Sequence, residues 1–188
     1  SLRSAESVLN NMDPEKYNIL PVGITESGQW ILYGSTDYAQ LPSGQWLHCE
    51  DNRPAVISPV RGQGLLRFEE NGVICTPVDV VFPVVHGTNV EDGALQGYLK
   101  TIGIPFVGCD VTASALGMDK YLTKVVLKES GIPVLDAKVY TLSDYAELEE
   151  MLSDVENVFG YPVIIKPVNL GSSVGISVAK NRVELTKS

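Results

Sequence analysis

The first third of the chain changes from a helical to a strand-like spacing of apolar residues. Apolar side chains between residues 2 and 12 recur every three to four positions, which predicts an amphipathic helix. Residues 17–25 and 29–33 are rich in apolar side chains and flank a Glu-Ser-Gly segment, so they predict two strands joined by a turn. Residues 34–54 show no period and are rich in Ser, Gly, Pro, Asp and Gln, which predicts a loop.

The next segment predicts a hairpin followed by a βαβ unit. Residues 68–75 surround an Asn-Gly pair, the strongest short signal for a tight hairpin turn. Residues 78–85 are almost continuously apolar, as expected for a strand of a parallel sheet that is covered on both faces. Apolar positions with helical spacing follow and end at Gly103, and residues 104–107 predict the next strand. His86 would then lie at the carboxyl edge of the sheet, where such folds bind ligands.

A second pattern of elements begins near Gly117. It contains helices at residues 119–130 and 143–157, strands at residues 132–140 and 161–168, a return strand at residues 176–179, and a capping-box signature at Asn181 and Glu184. A glycine- and serine-rich loop joins the last two strands as an antiparallel pair. The sequence therefore predicts an α/β protein with an open, mostly parallel sheet in its first lobe and a smaller second lobe, with the boundary near residues 115–118.

Composition and charge limit the class of protein. The 188 residues carry a formal net charge of −9, which argues against a nucleic-acid partner because binding to the phosphate backbone needs an excess of cations. No apolar segment is long enough to cross a bilayer and no charged-then-apolar leader precedes the first helix, so we expect no membrane partner. The three cysteines are far apart and the two histidines lack the spacing of metal ligands, which favours the cytoplasm and predicts no metal site within this chain.

The glycine- and serine-rich loop is the first candidate for a ligand site. Gly171 and Gly175 would let backbone N–H groups approach phosphate oxygens, because these residues have no side chain. Ser172 and Ser173 add hydroxyl donors, and Lys166 stands at the end of the preceding strand. A flexible hairpin turn with a surface lysine is the alternative interpretation. The segment is not a Walker loop, because it returns as a strand instead of opening a helix.

Two other positions are candidates. Lys120 lies in the first turn of a predicted helix, an unfavourable place for a cation unless an anion or a carboxylate offsets the helix dipole. A solvated lysine beside Asp119 is the alternative there. His86 and Glu91 put a titratable ring and an acid in one loop at the sheet edge, where a substrate ammonium or carboxylate could bind. The alternative for this loop is that Asp92 only caps the helix that follows.

Together these segments resemble the D-alanine–D-alanine ligase family. The resemblance is carried by residues 86–97 (HGTNVEDGALQG), 104–108 (IPFVG), 113–120 (ASALGMDK), 163–167 (VIIKP) and 171–175 (GSSVG). Their joint order and spacing span essentially the whole chain and are far more specific than any one motif. The opening helix also resembles the family's first helix, which implies that a first strand and a glycine-rich loop precede it in the complete protein.

The resemblance implies an ATP-grasp ligase that joins two D-alanines through an acyl phosphate, for peptidoglycan precursor synthesis in the cytoplasm. Residues 1–116 would form the N-terminal substrate-binding domain, a Rossmann-like pre-ATP-grasp fold without its first strand. Residues 117–188 would form the small α+β first subdomain of the ATP-grasp fold, without the C-terminal part that carries the Mg²⁺ ligands. The implied cofactors are ATP and Mg²⁺. The implied partners are D-alanine and a second copy of the protein, in a homodimer formed through the N-terminal domain.

The same resemblance implies roles for single residues. The ATP-binding residues would be Lys120, Lys166, Ser172, Ser173, Val174 and Gly175. The residues at the first D-alanine would be His86, Glu91 and Ser172, of which His86 and Ser172 would also serve catalysis. Three alternatives stay open: another ATP-grasp carboxylate–amine ligase, a D-alanine–D-lactate ligase, and a non-catalytic binding or dimerisation module. We expect the 188-residue chain alone to be inactive, because the family's metal ligands would lie beyond it.

Overall fold

The computed structural model describes residues 1–171 and 174–188 and divides into two compact units. The first unit comprises Ser1–His86 and Ala94–Cys109, and the second comprises Gly87–Gly93 and Asp110–Ser188. The second unit thus begins earlier than the predicted boundary after residue 116. Within the described ranges, no helix is long and apolar enough to cross a membrane.

The first unit is built around a five-stranded antiparallel sheet. Its strands follow the chain order β1-β2-β3-β4-β5. The elements are α1 (Leu2–Asn11), β1 (Val22–Ile24), β2 (Trp30–Leu32), β3 (Arg53–Ile57), β4 (Leu65–Glu69), β5 (Gly72–Thr76) and α2 (Ala94–Ile102). Both predicted hairpins are confirmed, β1 with β2 and β4 with β5. The β4–β5 turn closes at the predicted Asn-Gly pair, where Glu69 is the register partner of Gly72.

The main core of the first unit lies between the sheet and α2. Leu99 is fully buried, and Ile102 packs in the same cluster as Ile57 of β3 and Leu65 of β4. The hydroxyl of Tyr98 donates a hydrogen bond to the carbonyl of Ile57, which fixes the helix against β3. Each such buried aliphatic side chain stabilises the fold by roughly 2 kcal/mol. The predicted amphipathic pattern of α2 is therefore confirmed.

The predicted βαβ pairing is present in a short form. Val81 and Phe106 form a parallel bridge, with the Val81 N–H donating to the Pro105 carbonyl at 2.9 Å and the Val107 N–H donating to the Val81 carbonyl at 2.9 Å. Pro83 and Pro105 have no N–H group, so the ladder cannot extend through them. The mixed α/β class is confirmed, while the regular ladders of this unit are antiparallel.

The segment predicted as a loop contains two short 3₁₀ helices, Tyr38–Gln40 and Gln45–His48. Trp46 from the second is buried and meets the ring of Tyr33 edge to face, with ring centroids 6.5 Å apart. A Cβ atom on Gly23 would lie 2.3 Å from the Trp46 ring, so the strand can approach the indole only because it carries glycine there. These contacts make a second small core, against which the apolar face of α1 packs.

The second unit contains four α-helices, one short 3₁₀ helix (Asp144–Glu147) and one two-stranded sheet in its described part. The elements are α3 (Val111–Met118), α4 (Lys120–Glu129), α5 (Leu148–Phe159), β6 (Val163–Ile165), β7 (Ser177–Ala179) and α6 (Arg182–Lys187). β6 and β7 pair antiparallel, as predicted. Helix α3 was not predicted from the sequence; Asp110 begins it by accepting a hydrogen bond from the Val111 N–H.

The predicted strand at residues 132–140 is wrong, because this segment has no regular structure. Its apolar residues resemble those of a strand, but β6 is paired only with β7 in the described part of the unit, so the segment has no ladder partner there. Residues 87–93 belong to this unit because Gly93 packs closely on α3. A Cβ atom on Gly93 would lie 2.9 Å from the Val111 carbonyl oxygen.

The core of the second unit lies between its sheet and α5 and α6. The buried side chains are Leu152, Val155, Val163, Ala179 and Leu185. The predicted N-cap of α6 is confirmed, because the Asn181 side chain accepts from the Glu184 N–H at 3.0 Å. The Glu184 carboxylate accepts from the N–H of Lys180 at 2.9 Å, one residue before the position that a full capping box uses. The turn between β7 and α6 is therefore firmly joined to the last helix.

Candidate functional site

Lys120 is placed at the start of α4 by the side chain before it. The Asp119 carboxylate accepts hydrogen bonds from the N–H groups of Tyr121 at 3.0 Å and Leu122 at 2.8 Å, so it caps the helix. The Lys120 ammonium lies 3.4 Å from the Val168 carbonyl oxygen and also donates to the carbonyl of Leu170. These oxygens offset the unfavourable position of a cation at the positive end of a helix. Lys120 is therefore more than a solvated neighbour of Asp119.

Lys166 lies close to the same segment. It follows β6 directly, is exposed, and makes no hydrogen bond or ion pair through its side chain with any residue that the structure describes. The Lys120 N–H donates to the Val168 carbonyl at 3.1 Å, and Val168 is two residues after Lys166. Two residues of chain span at most about 7 Å, so the backbones of the two lysines approach each other at one end of the β6–β7 hairpin.

The glycine- and serine-rich loop connects β6 to β7. Ser172 and Ser173 lie outside the described residues. On either side of them, the Val174 N–H donates to the Gly171 carbonyl at 3.1 Å, and Val174 is exposed. Gly175 has φ +70°, and a Cβ atom there would lie 2.7 Å from the ring of Pro167. Gly175 therefore lies against Pro167, just after β6, in a conformation that only glycine adopts without strain.

His86 belongs to the first unit and Glu91 to the second, so each is described within its own unit. His86 is exposed, and its backbone N–H donates to the Ser1 hydroxyl at 3.0 Å. The Glu91 carboxylate accepts from the Gly87 N–H at 2.6 Å, and the Glu91 N–H donates to the Gly87 carbonyl at 3.0 Å. One carboxylate oxygen of Glu91 thus stabilises the turn from Gly87 to Glu91.

A cluster in the second unit was missed by the sequence analysis. Asp154 of α5 accepts hydrogen bonds from the Lys138 ammonium and, at 2.6 Å, from the Tyr140 hydroxyl. These donors lower the pKa of the Asp154 carboxyl, and burial together with Asp154 raises the pKa of Tyr140. No sequence signal joins these residues, because 14 to 16 positions separate the partners. The cluster fixes the irregular 132–140 segment on α5.

Comparison with known proteins establishes the family. The family model described as the D-ala D-ala ligase N-terminus matches residues 1–109, and the model described as the D-ala D-ala ligase C-terminus matches residues 126–188. The chain belongs to the D-alanine–D-alanine ligase family. The resemblance on which the sequence analysis relied is therefore confirmed.

Relatives in this family match nearly the whole chain. D-alanine–D-alanine ligase from Thermoanaerobacter sp. (strain X514) is 44% identical over 188 residues, which cover 98% of this chain and 51% of that protein. D-alanine–D-alanine ligase from Clostridium acetobutylicum is 45% identical over 184 residues, covering 97% of this chain and 50% of that protein. The chain thus spans about half the length of the curated ligases that it matches.

Solved structures of D-alanine–D-alanine ligase family members share the fold. The VanG D-Ala:D-Ser ligase from Enterococcus faecalis superposes with a TM-score of 0.86 at 37% identity, covering 100% of this chain and 53% of that one. The D-alanine–D-alanine ligase from Coxiella burnetii gives 0.85 at 34% identity, covering 99% of this chain and 53% of that one. The mixed α/β architecture described above is therefore that of the D-alanine–D-alanine ligases.

Proposed function

We propose that this chain is the front half of an ATP-dependent D-alanine–D-alanine ligase, and that it supplies part of the nucleotide grip and of the first amino-acid subsite. The observation that carries the proposal is the position of Lys120. Its ammonium lies at the base of the glycine- and serine-rich loop, in a chain whose family is that of these ligases. A flexible hairpin with a remote surface lysine would not bring α4 to this loop.

The proposed chemistry proceeds in two steps. The carboxylate of the first D-alanine attacks the terminal phosphorus of ATP, forming an acyl phosphate and releasing ADP. The amine of the second D-alanine then attacks the acyl carbon, and phosphate leaves. Cations beside the transferring phosphoryl group stabilise its charge, and a loop that covers the site excludes the water that would hydrolyse the acyl phosphate.

In this proposal the second unit binds the nucleotide. Lys120 and Lys166 contact phosphate oxygens as cations from α4 and from the end of β6. The backbone N–H groups of Ser173, Val174 and Gly175 cover the phosphates, as glycine-rich turns do in other anion sites. Lys166 is suited to this role because its exposed ammonium forms no ion pair within the described residues, so none has to break when phosphate binds.

The residues proposed for the first D-alanine come from two of the family motifs, residues 86–97 and residues 171–175. His86 lines the subsite of the amino acid, and Ser172 holds it through its hydroxyl. Glu91 contributes through the carboxylate oxygen that its loop does not use. Because the exposed imidazole and the hydroxyl are polar, they suit a zwitterionic amino acid better than an apolar substrate.

The chain alone is proposed to be inactive. Among the described residues, no group of three His, Cys, Asp or Glu side chains could hold a metal ion, so no step is assigned here to Mg²⁺. In the complete ligase Mg²⁺ would neutralise phosphate charge, bound by residues outside this chain. The complete protein is proposed to act in the cytoplasm as a homodimer formed through its N-terminal domain.

The test measures ADP formation by the complete protein that includes these residues. We expect turnover that requires both ATP and D-alanine, and no turnover from the 188-residue chain alone. ADP formation at the same rate with and without D-alanine would overturn the proposed substrate. Turnover by the isolated chain would overturn its proposed dependence on residues outside it.

A second candidate concerns the acceptor in the second step. It is favoured by the 37% identity to a protein named as a D-Ala:D-Ser ligase. D-alanine, D-serine and D-lactate are therefore compared as acceptors at equal ATP and limiting D-alanine. Formation of D-alanyl-D-alanine as the main product supports the first proposal, and a mixed dipeptide or a depsipeptide supports the second.

A further inference from the structure

A cleft of about 400 Å³ is lined only by residues of the first unit, none of which is among the residues proposed above. Residues 19–21 and 32–36 form one part of its lining, and Tyr38 adds an aromatic ring. The rest of the lining is charged: Asp51, Arg53, Arg67 and Glu69. A cleft of this volume suits a small molecule, because ligand pockets begin near 300 Å³.

The charged lining has one firmly held pair. The Arg53 Nε donates to one carboxylate oxygen of Glu69 at 3.1 Å, and its Nη1 donates to the carbonyls of Glu50 at 3.0 Å and Asn52 at 2.8 Å. Arg67 Nε lies 2.6 Å from the other oxygen of Glu69. Because one carboxylate faces two guanidinium groups, these three side chains carry a net charge of +1.

Arg67 is the incompletely satisfied member. Its Nε is buried, and despite its short ion-pair distance to Glu69 it has no hydrogen bond of acceptable geometry. Within the described residues its two terminal nitrogens make no hydrogen bond, and they are not among the buried unpaired atoms. The Arg67 side chain is 35% exposed, so water reaches these nitrogens in the cleft. A bound acceptor would replace that water on the donors that Glu69 does not use.

We propose that this cleft binds a small monocarboxylate with a short apolar tail, and that Arg67 is its principal partner. A planar carboxylate accepts two parallel hydrogen bonds from one edge of a guanidinium. Leu20 and Leu32 of the lining are apolar and suit a short aliphatic tail. A phosphate dianion is disfavoured, because Asp51 and Glu69 offset the charges of Arg53 and Arg67, so the lining as a whole cannot balance two negative charges.

The experiment titrates sodium propionate into the ¹⁵N-labelled 188-residue chain, against sodium chloride at equal ionic strength. We expect saturable shifts of the Arg67 Nε–H signal and of amides in the cleft, complete by about 100 mM propionate, since a small single-charge ligand binds in the millimolar range. Sodium phosphate should bind at least roughly fivefold more weakly. Shifts that do not saturate, or that lie only outside the cleft, would overturn the site.

Two variants separate a specific site from general attraction of anions. Arg67→Lys keeps the charge but loses the two-donor edge, so propionate affinity should fall by about fivefold or more. Arg61→Lys changes an exposed arginine of the same unit and should leave affinity unchanged. Equal affinity of Arg67→Lys and the parent chain, or phosphate binding as tight as propionate, would overturn the monocarboxylate assignment.

A third variant keeps the test decisive if Arg67→Lys fails to fold. Thr36→Trp places a large ring at an exposed position of the cleft lining, where it cannot disturb the buried core. We expect it to keep a dispersed amide spectrum and to lose propionate binding by about tenfold or more, because the ring fills the cleft. Unchanged binding in this folded variant would overturn the location of the site.

Discussion

Lys120 and Val168 are joined twice: the Lys120 N–H donates to the Val168 carbonyl at 3.1 Å, and the Lys120 ammonium lies 3.4 Å from the same oxygen. The ammonium also donates to the carbonyl of Leu170. The first turn of α4 is thereby fixed to the segment that leads into the glycine- and serine-rich loop. Lys120 is thus the side chain that holds the base of the loop. If it also binds phosphate as proposed, one ammonium group would link nucleotide binding to the position of the loop.

Lys120→Met should weaken ATP binding by the complete protein by about tenfold or more, because it removes a charge-assisted contact worth roughly 1.5–3 kcal/mol. Hydrogen exchange of the amides at residues 168–171 should also become faster. Both effects follow from the loss of one ammonium that contacts two carbonyl oxygens. Calorimetric titration with a non-hydrolysable ATP analogue and exchange mass spectrometry measure them.

Lys124→Met is the matched control. Lys124 lies one turn further along α4, and its ammonium donates to the Leu135 carbonyl at 2.6 Å, away from the loop. It should lose a similar hydrogen bond yet bind the analogue as tightly as the parent protein. Equal weakening by both variants would mean that Lys120 acts only through general charge or helix stability.

Gly175→Ala should lower stability and nucleotide affinity, whereas Gly171→Ala should change neither. Gly175 has φ +70°, and an added Cβ would lie 2.7 Å from the Pro167 ring, so we expect a cost of about 1–3 kcal/mol and weaker nucleotide binding. A Cβ on Gly171 meets no other atom of the described residues within 4 Å. That variant should stay within about 0.5 kcal/mol of the parent. Thermal unfolding and analogue titration of both variants check this, and equal effects would contradict it.

Local signals predicted the parts of the fold that local interactions form. The Asn-Gly turn between β4 and β5 and the Asn181 cap of α6 involve residues within a few positions of each other, so their patterns are visible in the sequence. Helix α2 was also predictable, because its large apolar residues recur with helical spacing and pack into one core. Lys120 and Lys166 were candidates from their positions in the sequence, and the resemblance predicted their role at the phosphates.

Contacts between distant residues were not predictable from pattern alone. Residues 132–140 have the apolar spacing of a strand, yet a strand needs a partner that the sequence does not specify, and the segment is instead attached to α5 through Asp154. Helix α3 was missed because its apolar residues have no clear amphipathic spacing, although Asp110 offered a capping signal. The carbonyl partners of Lys120 come from residues 48 and 50 positions away.

Asp154→Asn should destabilise the second unit at neutral pH and have little effect in acid. Hydrogen bonds from Lys138 and Tyr140 hold the pKa of the Asp154 carboxyl below its usual range. A carboxyl whose pKa is lower in the folded state adds stability that is present above its unfolded pKa of about 3.9. That stability is lost as pH falls through the folded pKa. The difference between parent and variant should therefore be fully present near pH 7 and shrink as the pH falls through the lowered pKa of the folded state.

Urea unfolding at several pH values, followed by circular dichroism, measures that difference. Asp136→Asn is the control, because Asp136 is highly exposed and lies 3.7 Å from the Lys128 ammonium. It should change stability by less than about 0.5 kcal/mol at pH 7, as expected for an exposed ion pair. An Asp154→Asn effect that grows as the pH is lowered would contradict the assigned direction of the pKa shift.

Leu152→Ala should be the most damaging of these substitutions to the second unit. Leu152 is 1% exposed and belongs to the cluster that joins α5 to the small sheet, so its truncation leaves a cavity and should cost about 2–5 kcal/mol. Leu142→Ala removes the same atoms from a side chain that is 91% exposed, and should stay within about 0.5 kcal/mol. Both tryptophans of the chain lie in the first unit, so their fluorescence does not directly report this change. Circular dichroism and hydrogen exchange of the α5 amides do, and equal losses in both variants would place Leu152 outside a packed core.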